Sequence, residues 1–178
     1  YFQILVRRCF FQDVERSPAG EIEAFKIHDL MHDMAQQASG KDILIADFGT
    51  MELDKKSRHL FDRVSYDRTE GFITATTAKI RSYVRVRKYH VRGYAKDVQF
   101  PVRALLVNWR SLRVLDLSGL YITDLPNAIG GLLHLRWLDL SVNEMKMLPR
   151  SLTKLINLQF LDLYGCYKLE ELPEDFNE

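Results

Sequence analysis

Leu112-Arg113-Val114-Leu115-Asp116-Leu117 recurs as Leu135-Arg136-Trp137-Leu138-Asp139-Leu140 and again as Leu158-Gln159-Phe160-Leu161-Asp162-Leu163, each copy starting 23 residues after the one before. Alternate side chains of a strand face opposite sides. Leu115 and Leu117, Leu138 and Leu140, and Leu161 and Leu163 are therefore expected to point inward as a stacked core. Val114, Trp137 and Phe160 then point outward in a column, one per strand at about 4.8 Å. Asp116, Asp139 and Asp162 form a second column beside it.

A second apolar cluster follows each strand: Ile122 and Leu125, Met145 and Leu148, Leu169 and Leu172. Pro126, Pro149 and Pro173 come directly after the second member of each pair and hold the return segment extended. Ile129 and Leu132, then Leu152 and Leu155, complete an outer wall. L-x-x-L-x-L at a fixed period in the twenties is the signature of a leucine-rich repeat solenoid. The pattern also calls for Asn or Cys three residues past the last strand leucine. Asn143 and Cys166 stand there, whereas Leu120 takes that place in the first regular repeat. Cys166 therefore reads as a structural residue, and it forms no metal or redox spacing with the distant Cys9.

Solenoids bind more often than they transform, and no catalytic constellation is present. Three carboxylates from one repeated position, with no added ligand, make no metal site. Val114, Trp137 and Phe160 bordered by Asp116, Asp139 and Asp162 instead suggest a protein-binding patch on the concave face, because aromatic residues are enriched in such surfaces. Ordinary repeat filler covered by a neighbouring domain is the plainer alternative.

The net charge of +1 hides segments of opposite sign: −3 over residues 1–50, +8 over 51–110 and −4 over 111–178. In the basic middle, Ser82, Val84 and Val86 alternate with Tyr83, Arg85 and Arg87, a strand periodicity. His59-Leu60-Phe61 and Val102 to Val107 read as further degenerate strands. Residues 57–110 are thus taken as irregular early repeats and 112–178 as regular ones. Arg81, Arg85, Arg87, Lys88, Arg92 and Lys96, interleaved with Tyr83, Tyr89 and Tyr94, give stretch 79–96 a nucleic-acid-like footprint. No nucleic-acid motif accompanies it, and acidic flanks or a protein partner answer the same charge.

Upstream, Phe2, Leu5, Val6 and Cys9 have helical spacing, and Phe10–Val14 and Glu23–Ile27 read as strands joined through Ser17-Pro18-Ala19-Gly20. Ile27, Leu30, Met31, Met34, Ala35 and Ala38 form an amphipathic stripe, with Gly40 as its stop. Helix, hairpin, helix is the tail of a winged helix. His28 and His32, four apart, lie on the flank of that stripe, while Asp29 and Asp33 face the polar side. A zincin helix needs Glu directly after the first His; Asp29 stands there, with no third ligand. The expected fold class is α/β: a truncated winged-helix segment over 1–45, a linker over 46–56, and a repeat solenoid with a parallel sheet over 57–178. No apolar run approaches the roughly eighteen residues of a membrane span, and the cysteine usage fits a reducing compartment, so a cytoplasmic location, with or without nuclear entry, is expected. A chain starting at Tyr1 and ending in a repeat at Glu178 reads as a piece of a longer protein.

The order of these pieces resembles the plant intracellular immune receptors of the nucleotide-binding, leucine-rich-repeat family, coiled-coil type. Phe25-Lys26-Ile27-His28-Asp29-Leu30-Met31-His32-Asp33-Met34-Ala35 is similar to the family's Met-His-Asp motif and its continuation, with Ile27 in place of the methionine, a volume-conserving swap. Leu5 to Gln12 resembles the stretch leading into the wing, and Asp124 to Gly130 and Gly165 to Pro173 resemble its repeats. The resemblance implies that His28 meets the β-phosphate of ADP in the closed receptor and that Asp29 supports that geometry. It implies an ADP/ATP switch in the intact protein, biased by unequal binding to two states. It further implies a missing nucleotide-binding domain as an intramolecular partner, and a pathogen effector or guarded host protein as the sensed one. This stretch has no G-x-x-x-x-G-K-[ST], so no cofactor and no enzymatic activity are expected of it alone. A leucine-rich-repeat adaptor unrelated to immunity is the alternative reading, and nucleic-acid binding through 79–96 a more distant one.

Overall fold

The computed structural model describes residues 2–8, 10–46, 56–62, 79–85 and 100–173. The chain divides into two compact units, Tyr1–Gly40 and Lys41–Glu178.

In the first unit, helix α1 (Phe2–Arg7) leads into strands β1 (Phe11–Arg16) and β2 (Ile22–Ile27), which pair antiparallel, and helix α2 (Asp29–Ser39) follows. The pairing runs Phe11↔Ile27 and Gln12↔Lys26, then shifts register before Glu15↔Ala24. Asp13 at φ 50° sits at that irregularity. Phe11 and Phe25 touch with ring centroids 4.3 Å apart. Gly40 closes α2 in the left-handed region (φ 50°), its N–H reaching Gln36 O, a conformation that glycine adopts without a Cβ penalty. The apolar stripe of α2 is not buried: Leu30 is 60% and Met34 55% exposed.

The second unit is built on a six-stranded parallel sheet in sequential order: β3 (Ile43–Ala46), β4 (His59–Asp62), β5 (Ser82–Arg85), β6 (Val114–Asp116), β7 (Trp137–Asp139) and β8 (Phe160–Asp162). Leu44, Leu60, Tyr83, Leu115, Leu138 and Leu161 share one register position. From Leu60 to Leu138 that row is fully buried. Behind it lie Leu117 and Leu140, then Ile122, Leu125, Met145 and Leu148, and finally Ile129, Leu132, Leu152 and Leu155, all buried. The outer wall consists of helix α3 (Val102–Asn108) and two 3-10 turns, η1 (Asn127–Gly131) and η2 (Arg150–Lys154). Pro126 and Pro149, extended at φ −63° and −67°, open the two turns. A Cβ on Gly130 would lie 2.6 Å from Ser151 O, so the close stacking of η1 on η2 requires glycine there.

Three expectations are corrected. Val102–Val107 is helical, because Val102, Leu105 and Leu106 are spaced to bury one helical face and β5 pairs directly with β6. The first unit ends at Gly40, not at residue 45, because Ile43–Ala46 hydrogen-bonds to β4 as the first rung of the sheet. The expected linker thereby loses residue 46; 47–55 and the Val86–Lys96 part of the basic stretch lie outside the described residues. Leu172, expected inside, is 49% exposed, since β8 is the edge of the described sheet.

In β5 the inward residue is Tyr83, not a valine. Its ring packs against Trp109 (5.6 Å between centroids) and Phe100 (6.1 Å), and its hydroxyl donates to buried Asp62 at 2.5 Å. Burial first, and the Asp62 charge second, push the phenol well above its ordinary value.

Asn143 does at the turn what its sequence position calls for. It is 3% exposed; its Oδ1 accepts from Leu120 N (3.2 Å) and Ile122 N (3.0 Å), and its Nδ2 donates to Leu117 O (2.9 Å) and Leu140 O (2.8 Å). One side chain thus ties two successive rungs. One repeat later the buried Cys166 thiol donates to Leu140 O at 3.1 Å, the same position served by a weaker group.

Candidate functional site

His28 immediately precedes α2 and caps it. Its backbone is extended (φ −58°, ψ 135°) and its Nδ1 accepts from Leu30 N at 3.3 Å. An imidazole nitrogen that accepts is unprotonated, so the neutral ring carries its hydrogen on Nε2. The ring is exposed, and His28 itself takes up the first N–H groups of the helix: Leu30 N through Nδ1, and Met31 N and His32 N through its carbonyl. Asp29 occupies the first turn, where negative charge suits the helix dipole, and its Oδ1 accepts from Gln12 Nε2 at 3.4 Å. His32 lies one turn on, beside Asp33 (3.7 Å) and Gln36 (3.4 Å). Both histidines are exposed rather than core-bordering.

The second candidate site is the outward face of the sheet. Val114, Trp137 and Phe160 share one register position, and Asp116, Asp139 and Asp162 another. Trp137 and Phe160 stack with centroids 3.8 Å apart and planes 16° from parallel, and remain 43% and 39% exposed. The aspartates are committed within their own turns: Asp116 Oδ1 accepts from Ser118 N at 2.9 Å, Asp139 Oδ1 from Ser141 N at 2.8 Å, and Asp162 Oδ1 from Tyr164 N at 2.8 Å. Such local bonds explain the repeated Asp without any ligand. Asp116 also accepts from the Ser118 hydroxyl and, across to the neighbouring rung, through Oδ2 from Arg85 N at 3.4 Å. Among the described residues, no group of three His, Cys, Asp or Glu side chains is placed to hold a metal ion.

The register adds residues that sequence reasoning missed. Ile43, His59 and Ser82 continue the Val114 column, and Ile45, Phe61 and Val84 line the same outward face. One residue earlier, Arg58, Arg81, Arg113 and Arg136 align across four successive rungs: Arg81 N donates to Arg58 O, Arg113 N to Arg81 O and Arg136 N to Arg113 O. The only sequence signal for that row was an arginine directly before each outward residue. It was hidden because the first two rungs lack the leucine pattern. Of the basic stretch, Arg81 joins this row, while Arg85 turns its Nη1 to Ser118 O at 2.9 Å.

Comparison with known proteins agrees with the two units. The family described as leucine-rich repeat region matches residues 85–178, and the family described as disease resistance protein winged helix domain matches residues 1–35. Neither matched region is a catalytic domain. A protein described as disease resistance protein At3g14460 of Arabidopsis thaliana is 33% identical over 143 residues. The match covers 77% of this chain but 10% of that protein, so the chain spans a small part of the relative's length. Among solved structures, InlP of Listeria monocytogenes superposes with a TM-score of 0.39 at 19% identity, over 64% of this chain and 30% of that one, too loosely to bear on function. The chain belongs to the leucine-rich repeat family, as a segment of the plant disease-resistance type with a winged-helix end ahead of its repeats. No described helix is long and apolar enough to cross a membrane.

Proposed function

We propose that the chain joins the nucleotide switch to the sensing repeats of a plant immune receptor, with the concave sheet face reading a protein partner. The observation that carries the reading is the stacked, half-solvated Trp137–Phe160 pair in an outward apolar column. Large aromatic residues that are left partly in water are the type that anchors protein interfaces. The partner in the intact protein is a pathogen effector or a guarded host protein, met in the cytoplasm or nucleus. In a receptor-length chain, Trp137→Ala/Phe160→Ala is expected to abolish partner-triggered signalling at unchanged protein level. Full signalling by that variant would refute the assignment.

A second part of the proposal rests on His28. Its Nε2–H, beside the positive end of α2, is a suitable donor for a phosphate oxygen. We assign it the β-phosphate of ADP in the closed receptor, with Asp29 supporting the cap. The exposed Leu30 and Met34 stripe supports a place in a larger domain that covers it. His28→Asp keeps a capping oxygen but carries no side-chain N–H donor, which separates helix stability from ligand contact. The expected outcome is less co-purified ADP and raised resting activity in the receptor-length protein; unchanged ADP content would sink the role. A leucine-rich-repeat adaptor is the competing reading, and partner binding indifferent to nucleotide would favour it.

A further inference from the structure

Asp139 and Asp162 stand opposite each other on β7 and β8, about 4.8 Å apart from strand to strand, where like charges repel. Each gives one oxygen to its own turn: Oδ1 accepts from Ser141 N and from Tyr164 N, both at 2.8 Å. The other oxygen, Oδ2, has no partner among the described residues, and no Lys or Arg there forms an ion pair with either carboxylate. Asp116 differs, because its Oδ2 accepts from Arg85 N. The turns thus account for an aspartate on each rung but leave two negative charges unanswered.

These charges share a face with the aromatic pair. Leu138 and Leu161 lie between the aromatic and the acid of each strand and turn into the core. Trp137 and Asp139, and likewise Phe160 and Asp162, therefore point the other way, about 7 Å apart along the strand. Phe160 covers one face of the Trp137 ring, at 3.8 Å and 16° from parallel. The other ring face turns toward β6, where the residue in register is Val114, a side chain too short to cover an indole. Trp137 accordingly stays 43% exposed.

We propose that this face docks an arginine of a partner protein, its guanidinium laid against the open face of Trp137 and donating to Asp139 Oδ2. The inference rests on the protein-recognition reading above and names the chemistry of the partner. A guanidinium is planar, stacks on indole and carries its N–H donors in a rigid fork, so one group answers both the ring and the carboxylate. Asp162, one rung on, adds to the same negative field. Arg113 and Arg136 do not cancel it: they stand three residues before Asp116 and Asp139, about 10 Å back along the strands, beyond the screening length of about 8 Å at physiological salt. A nucleic acid, with phosphate along its whole backbone, is repelled by both carboxylates.

The test offers a displayed library of random dodecapeptides to the full chain and discards every peptide that also binds Trp137→Ala/Phe160→Ala. The surviving peptides are expected to share an arginine. In fluorescence anisotropy, Asp139→Asn/Asp162→Asn keeps both turn-capping Oδ1 atoms and should weaken a labelled survivor about tenfold or more. Replacing the peptide's arginine by lysine should weaken it about threefold or more, since the planar fork is lost. Asp124→Asn/Glu170→Gln, an equal charge change on the return segments, should leave binding within about twofold. Circular dichroism checks each fold; where one is lost, Asp139→Asn alone or Trp137→Leu/Phe160→Leu takes the place of the double variant concerned. Survivors without arginine, a lysine that serves equally well, or binding indifferent to Asp139 and Asp162 would each overturn the proposal while leaving protein recognition by the sheet intact. Equal weakening by both charge variants would reduce the effect to bulk charge and overturn it as well. A library with no survivors would also overturn it, and the recognition reading would then stand or fall by the signalling of Trp137→Ala/Phe160→Ala.

Discussion

Replacing Asn143 is the sharpest test of the repeat geometry. Asn143→Ala removes five hydrogen bonds of 2.8–3.4 Å at a site 3% exposed. Leu140 O keeps the Cys166 thiol as a donor and Ser141 O keeps Gly119 N, so the groups left without a partner are Leu120 N, Ile122 N and Leu117 O. Each buried polar group left unmade costs about 1–3 kcal/mol. With some water admitted into the vacated space, the total is expected at about 3–5 kcal/mol, a large share of a domain stability of about 5–15 kcal/mol. The chain has two tryptophans, Trp109 and Trp137, and both lie in the repeat unit. Urea unfolding followed by Trp fluorescence therefore reports that unit alone. Asn143→Asp adds a sign test, because a carboxyl there keeps the two acceptor bonds but faces the carbonyls of Leu117 and Leu140. It stays protonated in the fold, with its value raised above the usual carboxylate figure of about 3.9. Stability is then retained at low pH and lost as pH rises through the raised value. A loss below about 1 kcal/mol for Asn143→Ala, on the same scale of buried orphans, would refute the two-rung tie.

Gly130→Ala should destabilise by about 1–3 kcal/mol, since its Cβ would meet Ser151 O at 2.6 Å; Gly131→Ala, with Arg110 Nη1 at 3.8 Å as its nearest neighbour, should change stability by less than about 0.5 kcal/mol in the same melt. Tyr83 has its folded value raised above that of the unfolded phenol, so its contribution is fully present below about pH 10 and lost above it. Tyr83→Phe should therefore flatten the alkaline limb of the stability curve, while costing about 1–3 kcal/mol at neutral pH for the bond that Asp62 loses. Cys166, 8% exposed, should react with a thiol reagent only as the repeat unit unfolds, and fast labelling of native protein would contradict its placement.

The periodic leucines made the regular rungs legible because the inward residues of a solenoid recur at one position, whatever the rest of the chain does. That placed Leu115, Leu138, Asn143 and the Trp137 and Phe160 column correctly. The same rule failed at Val102–Val107, where an apolar run fits strand and helix alike and helical burial of Leu105 and Leu106 decided. It also failed at Ile43–Ala46, a rung too short and too distant from the regular repeats to be marked by pattern.

His28 was named by motif, but its sequence position could not say which nitrogen carries the hydrogen; the bond from Leu30 N decided that. By itself, then, the sequence determined the period, the inward leucines and the order of the two units, because these are local repeats of one physical requirement. The arginine row, the internal commitment of the aspartates and the Tyr83–Asp62 bond needed the tertiary structure. The arginine row and the Tyr83–Asp62 bond depend on parallel register between strands separated by loops of unequal length, and no local pattern encodes that register; the aspartate bonds span two residues, and only the folded turn shows which N–H each carboxylate takes.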